Sequence, residues 1–391
     1  MNREFGYAIL IVGAAWILCG LAVSDTRRSL RDGLRCMIRY PDLWRLPALF
    51  GFAYAIFQLT AGALIDWREG GEPLEWFLKF QWSDPPPLDK VLERSAAGAA
   101  AHTASVFTIF MATFPLSGWF AFLFLVNHGG LMVECFRAFW RRWGKLRGVL
   151  LSLAIVLMAL AAIAKPFVYL LLPEVIVHVP IEVAFAIDLL SYVFELLLGV
   201  YFLTFLMLMA YAWLRGIHFD RHKLLHVAMR RCGFVLKWSL IIAAIAATLI
   251  ALPLLLGLLL ENDAEANAML LRFATEIGRP VVATIAIALC PIQAILVFHN
   301  HSLRSALREC LRLLRQQWPR LVPFVLTVYL TFFLLAFCDS WVRGHLANSE
   351  AAALALGLLV APLEALMAGW LIAAWVCLYK RLSNGGKEIS F

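Results

Sequence analysis

The stretch Cys310-Leu-Arg-Leu-Leu-Arg-Gln-Gln-Trp318, running into the apolar segment 321–338, decides how this chain is read. Arginines at helical spacing stay with water and headgroups, and the tryptophan marks the entry of an apolar run into a bilayer. The same frame recurs as Cys36-Met-Ile-Arg-Tyr-Pro-Asp-Leu-Trp44 and Cys135-Phe-Arg-Ala-Phe-Trp-Arg-Arg-Trp143. A further basic stretch has His226 and Phe234 in the two marker positions. Four stretches, Arg27–Arg45, Phe136–Arg147, Arg215–Lys237 and His299–Arg320, are each followed by two apolar runs. Regular self-similarity of this kind predicts duplicated units.

Composition supports the same class. Of 391 residues, 62% are hydrophobic and 15% charged, and mean hydropathy is +0.80. Soluble domains have about 45–50% apolar and about 25% charged residues. A bilayer is therefore the expected solvent. The net charge of +8 sits in short blocks beside apolar runs, with no DNA- or RNA-binding motif, so no nucleic-acid partner is expected. Cys36, Cys135, Cys232 and Cys310 belong to the basic stretches, and Cys19, Cys290, Cys338 and Cys377 to apolar runs. None lies in an acidic connection, and no CxxC spacing occurs, so neither a disulfide framework nor a zinc ribbon is expected.

About nine spans are predicted, at 7–23, 46–65, 98–126, 148–172, 183–214, 234–260, 281–298, 321–338 and 352–379. Basic connections alternate with acidic or neutral ones. That alternation places the N-terminus outside and the C-terminus in the cytoplasm. An excess of Arg over Lys fits a bacterial inner membrane. Residues 1–26 imitate a signal peptide, but cleavage there would break the alternation, so they read as an uncleaved anchor helix. The expectation is an all-α polytopic bundle forming one membrane domain. It has four hairpin repeats, at 27–129, 130–214, 215–298 and 299–391, each opened by a cytoplasmic in-plane helix.

Each in-plane helix is expected to leave its Leu, Phe and Met in the acyl boundary. The headgroup-facing set is Arg28, Arg31, Arg35, Arg141, Arg142, Arg230, Arg231, Arg308, Arg312 and Arg315, with Trp44, Trp143 and Trp318 at the interface. These residues either bind anionic lipids or only anchor the topology.

Ionisable groups within spans are functional candidates by default. Glu195 and Glu364 stand near the middle of their predicted spans, and Gln293 at similar depth in a third. Pro115, Pro291 and Pro362 occur in second helices of the hairpins, where each removes a hydrogen bond. Asp188, Ser191 and Glu195 share a helical face, and Lys165 is expected to pair with Asp188 across its hairpin. The alternative is that these groups are interhelical glue.

His218, His222 and His226 recur every fourth residue and form a candidate metal face, against the reading as interfacial histidines. No nucleotide-binding, hydrolase or zinc-protease motif is present. No cofactor is expected, and no enzymatic activity unless its site is built inside the membrane. The leading expectation is transport or handling of a small solute or lipid. The alternatives are a non-catalytic subunit that meets partner membrane subunits, and then an intramembrane metalloenzyme.

Overall fold

The computed structural model describes residues 3–41, 43, 56, 60, 86–108, 181–217, 220–259, 264–299, 302–346 and 356–383. Every extended element among them is helical, and no strand occurs among the described residues. The helices are α1 (Arg3–Trp16), α2 (Ser24–Arg39), α3 (Leu88–Thr108), α4 (Ile181–Arg215), α5 (Arg221–Ala246) and α6 (Leu252–Leu259). They continue with α7 (Ala264–Arg272), α8 (Arg279–Ala288), α9 (Pro291–Phe298), α10 (Leu303–His345) and α11 (Gly357–Leu382). Wider π-helical turns follow α1 at Ile17–Ala22, α5 at Ala247–Ala251 and α7 at Phe273–Gly278.

Three described helices are long and apolar enough to cross a membrane: Arg230–Gly257, Leu303–His345 and Pro362–Leu382. Two bent pairs raise the number to five if each is one span. Gly6–Ala22 meets Ser24–Arg39 at 88°, and Glu265–Ala288 meets Pro291–Phe298 at 45°. The 88° corner falls at Val23, whose backbone is extended (φ −78°, ψ 114°). The 45° bend falls at Pro291, which has no N–H to give the preceding turn. Of the predicted spans, 148–172 lies outside the described residues, as does 46–65 apart from Ile56 and Thr60.

The end of α2 follows from its sequence. Pro41 forces the residue before it out of the helical region, and Tyr40 is accordingly extended (φ −110°, ψ 90°). The start of α3 follows from Pro85-Pro86-Pro87. Proline suits a helix N-terminus, and the Val91 amide donates to the Pro87 carbonyl at 3.2 Å. This helix begins ten residues before the predicted span, so residues 88–97 of the expected acidic loop are helical.

Two expectations about the basic stretches are corrected. The stretches at 221–237 and 303–320 are not separate in-plane helices; they are the first turns of α5 and α10. No turn residue interrupts either one. In α10 even Pro319 and Pro323 are absorbed, and the Thr327 hydroxyl donates to the Pro323 carbonyl at 2.7 Å. The 43 residues of α10 make a rod of about 65 Å, twice the thickness of a hydrocarbon layer. In α2, Leu30 and Met37 do not lie in the acyl boundary. With Thr26, Ser29, Gly33 and Cys36 they form a face buried in the protein, and α2 packs chiefly on α11. Leu34 and Ile38 are the large apolar residues that α2 leaves exposed.

The core lies where α3, α10 and α11 meet. Phe107, Phe324 and Trp375, all fully buried, put their ring centroids 5.2–6.5 Å apart. Offset and edge-on aromatic contacts at this spacing add to the area they bury. Among the described residues the most extensive helix pair is α3 on α10, followed by α2 on α11.

Candidate functional site

Glu364 stands on α11 two residues after Pro362. Within the apolar helix Pro362–Leu382 it is the third residue, so it lies toward one end of that helix. Its partner comes from α3: His102 Nε2 is 3.5 Å from Glu364 Oε1, and both side chains are nearly buried. The His102 ring stacks on Phe332 of α10, with centroids 5.1 Å apart and planes 16° apart. Three helices thus fix the geometry of one acid–base pair. The Nδ1 atom of His102 is buried without a hydrogen-bond partner among the described residues.

A charged pair follows further along α10. Arg343 Nε donates to both carboxylate oxygens of Asp339, at 2.8 and 2.9 Å, along one turn of α10. A carboxyl group and an imidazole in contact can pass a proton between them.

Gln293 is fully buried on α9, directly after the Pro291 bend, and neither atom of its amide has a hydrogen-bond partner among the described residues. It is therefore not bonded to Glu364. Asp188 and Glu195 fall on α4, and His222 and His226 on α5, but their side chains lie outside the described set. Lys165, Arg141, Arg142, Trp44, Trp143 and His218 lie outside the described residues altogether. Among the described residues no group of three or more His, Cys, Asp or Glu side chains is placed to hold a metal ion.

Most of the predicted interfacial residues with described side chains lie on the surface. Arg28, Arg31, Arg35, Arg230, Arg308, Arg312 and Arg315 are exposed, and Trp318 is 59% exposed. Arg231 departs from the set, being half-buried with Nη1 enclosed and unpartnered among the described residues.

Sequence reasoning passed over the contacts that gather the basic ends. Arg381 at the end of α11 pairs with Asp32 and donates from Nη1 to Ser29 Oγ at 2.9 Å and to the Asp25 carbonyl at 3.3 Å. Arg320 Nε is 3.2 Å from Asp25 Oδ2. The Trp370 indole donates to the Leu30 carbonyl at 2.9 Å, and Lys380 Nζ to the Leu214 carbonyl at 3.0 Å. The end of α4, the middle of α10 and the end of α11 therefore meet α2 or each other at one end of the molecule.

No protein-family model, no curated protein and no solved structure matches this chain.

Proposed function

We propose that the chain is a polytopic protein of a bacterial inner membrane that transports or handles a small solute or lipid. Its polar centre is the acid–base pair Glu364–His102. The observation that carries this reading is the 3.5 Å contact between two nearly buried ionisable side chains from α11 and α3. Groups of this kind are costly within an apolar bundle and mark ion or proton pathways. About nine spans, four hairpin repeats, an external N-terminus and a cytoplasmic C-terminus complete the reading. The alternation of loop charge supports the orientation, and the full burial of Cys36 and Cys310, two of the three signature cysteines, supports the repeat. Anionic lipids are the expected partners of the exposed arginines. The test is an imposed pH gradient across proteoliposomes that carry a trapped pH-sensitive dye. Wild-type protein is expected to dissipate the gradient faster than empty vesicles, and Glu364→Gln is expected to lose that excess. Equal rates for wild type, variant and empty vesicles would reject proton linkage.

A second reading is an accessory subunit of a larger membrane assembly. The observation in its favour is that His102 is stacked closely on Phe332, which also suits a packing role. Stoichiometric copurification of another membrane protein in mild detergent would favour it.

A further inference from the structure

A cleft of about 290 Å³ lies where α2 and α4 end; the described residues that line it are Arg39, Tyr40, Trp213, Leu214 and Gly216. Its walls follow from how the two helices stop. On one side Tyr40 turns extended before Pro41 and leaves Arg39 at the last position of α2. On the other, Gly216 takes the left-handed conformation (φ +67°) that a helix C-terminus uses. The amides of Gly216 and Ile217 then donate back to the carbonyls of Trp213 and Ala212, at 3.0 and 3.1 Å.

The electrostatics favour an anion. Two helix C-termini, normally electronegative, end at the cleft: in α4 three of the last carbonyls are occupied, Ala212 and Trp213 by backbone amides and Leu214 by the Lys380 ammonium, and in α2 the Tyr40 amide takes the Cys36 carbonyl while Arg39 puts a full positive charge at that end. Arg39 is exposed and has no carboxylate or hydrogen-bond partner among the described residues. Its neighbours on the helix differ: Arg31 and Arg35 each stand 3.8 Å from Asp32, whose other oxygen is taken by Arg381. The cleft thus offers a planar guanidinium, a capped helix end and two amphipathic rings. Guanidinium forks match phosphate oxygens, while Trp and Tyr suit the ester and glycerol carbons at a membrane surface. Its volume is near the lower end for small-ligand sites and far above one water, which suits a headgroup with its acyl chains left outside. Exposed Leu34 and Ile38 give α2, which ends at the cleft, an outer apolar face of the kind that meets an acyl boundary.

We propose that this cleft binds a phosphate-ester anion, held by Arg39 and flanked by Trp213 and Tyr40. The ester belongs either to an anionic phospholipid headgroup or to a small phosphate ester in solution. This site is separate from the Glu364–His102 pair and does not depend on it.

The experiment uses the full chain in a neutral detergent, titrated with dihexanoyl phosphatidylglycerol, dihexanoyl phosphatidylcholine and glycerol 3-phosphate. Binding is read by calorimetry for wild type, Arg39→Gln, Trp213→Leu and Lys90→Gln. Lys90 is an exposed lysine of α3 outside the described lining of the cleft. The phosphatidylglycerol analogue is expected to bind wild type and Lys90→Gln alike, and Arg39→Gln about tenfold or more weaker. Glycerol 3-phosphate binding with the same Arg39 dependence would assign the site to a soluble ester; its failure beside lipid binding would assign it to a headgroup. Trp213→Leu, checked for an unchanged melting temperature, is expected to weaken the same ligand. Unchanged affinity in Arg39→Gln, or equal weakening by Lys90→Gln, overturns the proposal.

Discussion

Gly33 of α2 lies so close to Ala374 of α11 that a Cβ on Gly33 would stand 2.6 Å from the Ala374 amide nitrogen. No real Cβ tolerates that distance to backbone, so the two helices cross with their main chains in near contact. Gly33→Ala must push them apart. It is expected to cost about 1–3 kcal/mol, read as a lowered melting temperature in detergent. Gly233 on α5 has nothing within 4 Å of its would-be Cβ, so Gly233→Ala should be neutral or stabilising by up to about 1 kcal/mol. Equal losses for both would deny the close crossing.

The Glu364–His102 contact is best measured by a double-mutant cycle. His102→Phe keeps a ring on Phe332 and removes the pair, while Glu364→Gln keeps shape and removes charge. Each single variant is expected to lose stability, and the double variant to lose less than the sum, with a coupling of about 1–3 kcal/mol. Additivity within about 0.5 kcal/mol would mean that the two groups do not interact.

Arg381 is predicted to hold α2 in place through Asp32, Ser29 and the Asp25 carbonyl. Cys36 reports on this because it is fully buried on the same face. In Arg381→Gln, maleimide labelling of Cys36, followed by peptide mass spectrometry, should speed up about tenfold. Labelling as slow as in wild type would show that apolar packing alone seats the helix.

The Trp16 indole donates to Thr331 Oγ1 at 2.7 Å, tying the first helix to α10. Thr331→Val keeps the shape and orphans the indole N–H, at an expected cost of about 1–3 kcal/mol. Thr331→Ser keeps the acceptor and should retain most of the stability. Matching losses in the two variants would assign the effect to packing.

Local features were legible where a single residue type forces them. Tyr40-Pro41 stops α2, the proline run precedes α3, and Pro291 marks the bend before α9. Glu364 stood out because a carboxylate in an apolar run is conspicuous. His102 did not, since its meaning depends on α11, 262 positions away by number, and on the ring of Phe332. The continuity of α5 and α10 through their basic stretches was misread because amphipathic charge patterning looks alike in a surface helix and in the wetted end of a spanning one. The buried face of α2 was misread for the opposite reason. Three of its buried residues, Thr26, Ser29 and Gly33, carry no large apolar group to mark them as interior, and the close approach of Ala374 to Gly33 is a long-range contact.

Arg381 reaches back across 349 positions to Asp32. At about 5–20 residues per second, the ribosome needs roughly 20–70 s to make the chain between them. Through that interval α2 exists without the helix that covers it. An apolar inner face would spend the wait open to aggregation or to the wrong neighbour. The inner face is instead mixed: Thr26, Ser29 and Gly33 are small and wettable, so the apolar surface that waits for the last helix is confined to Leu30, Cys36 and Met37.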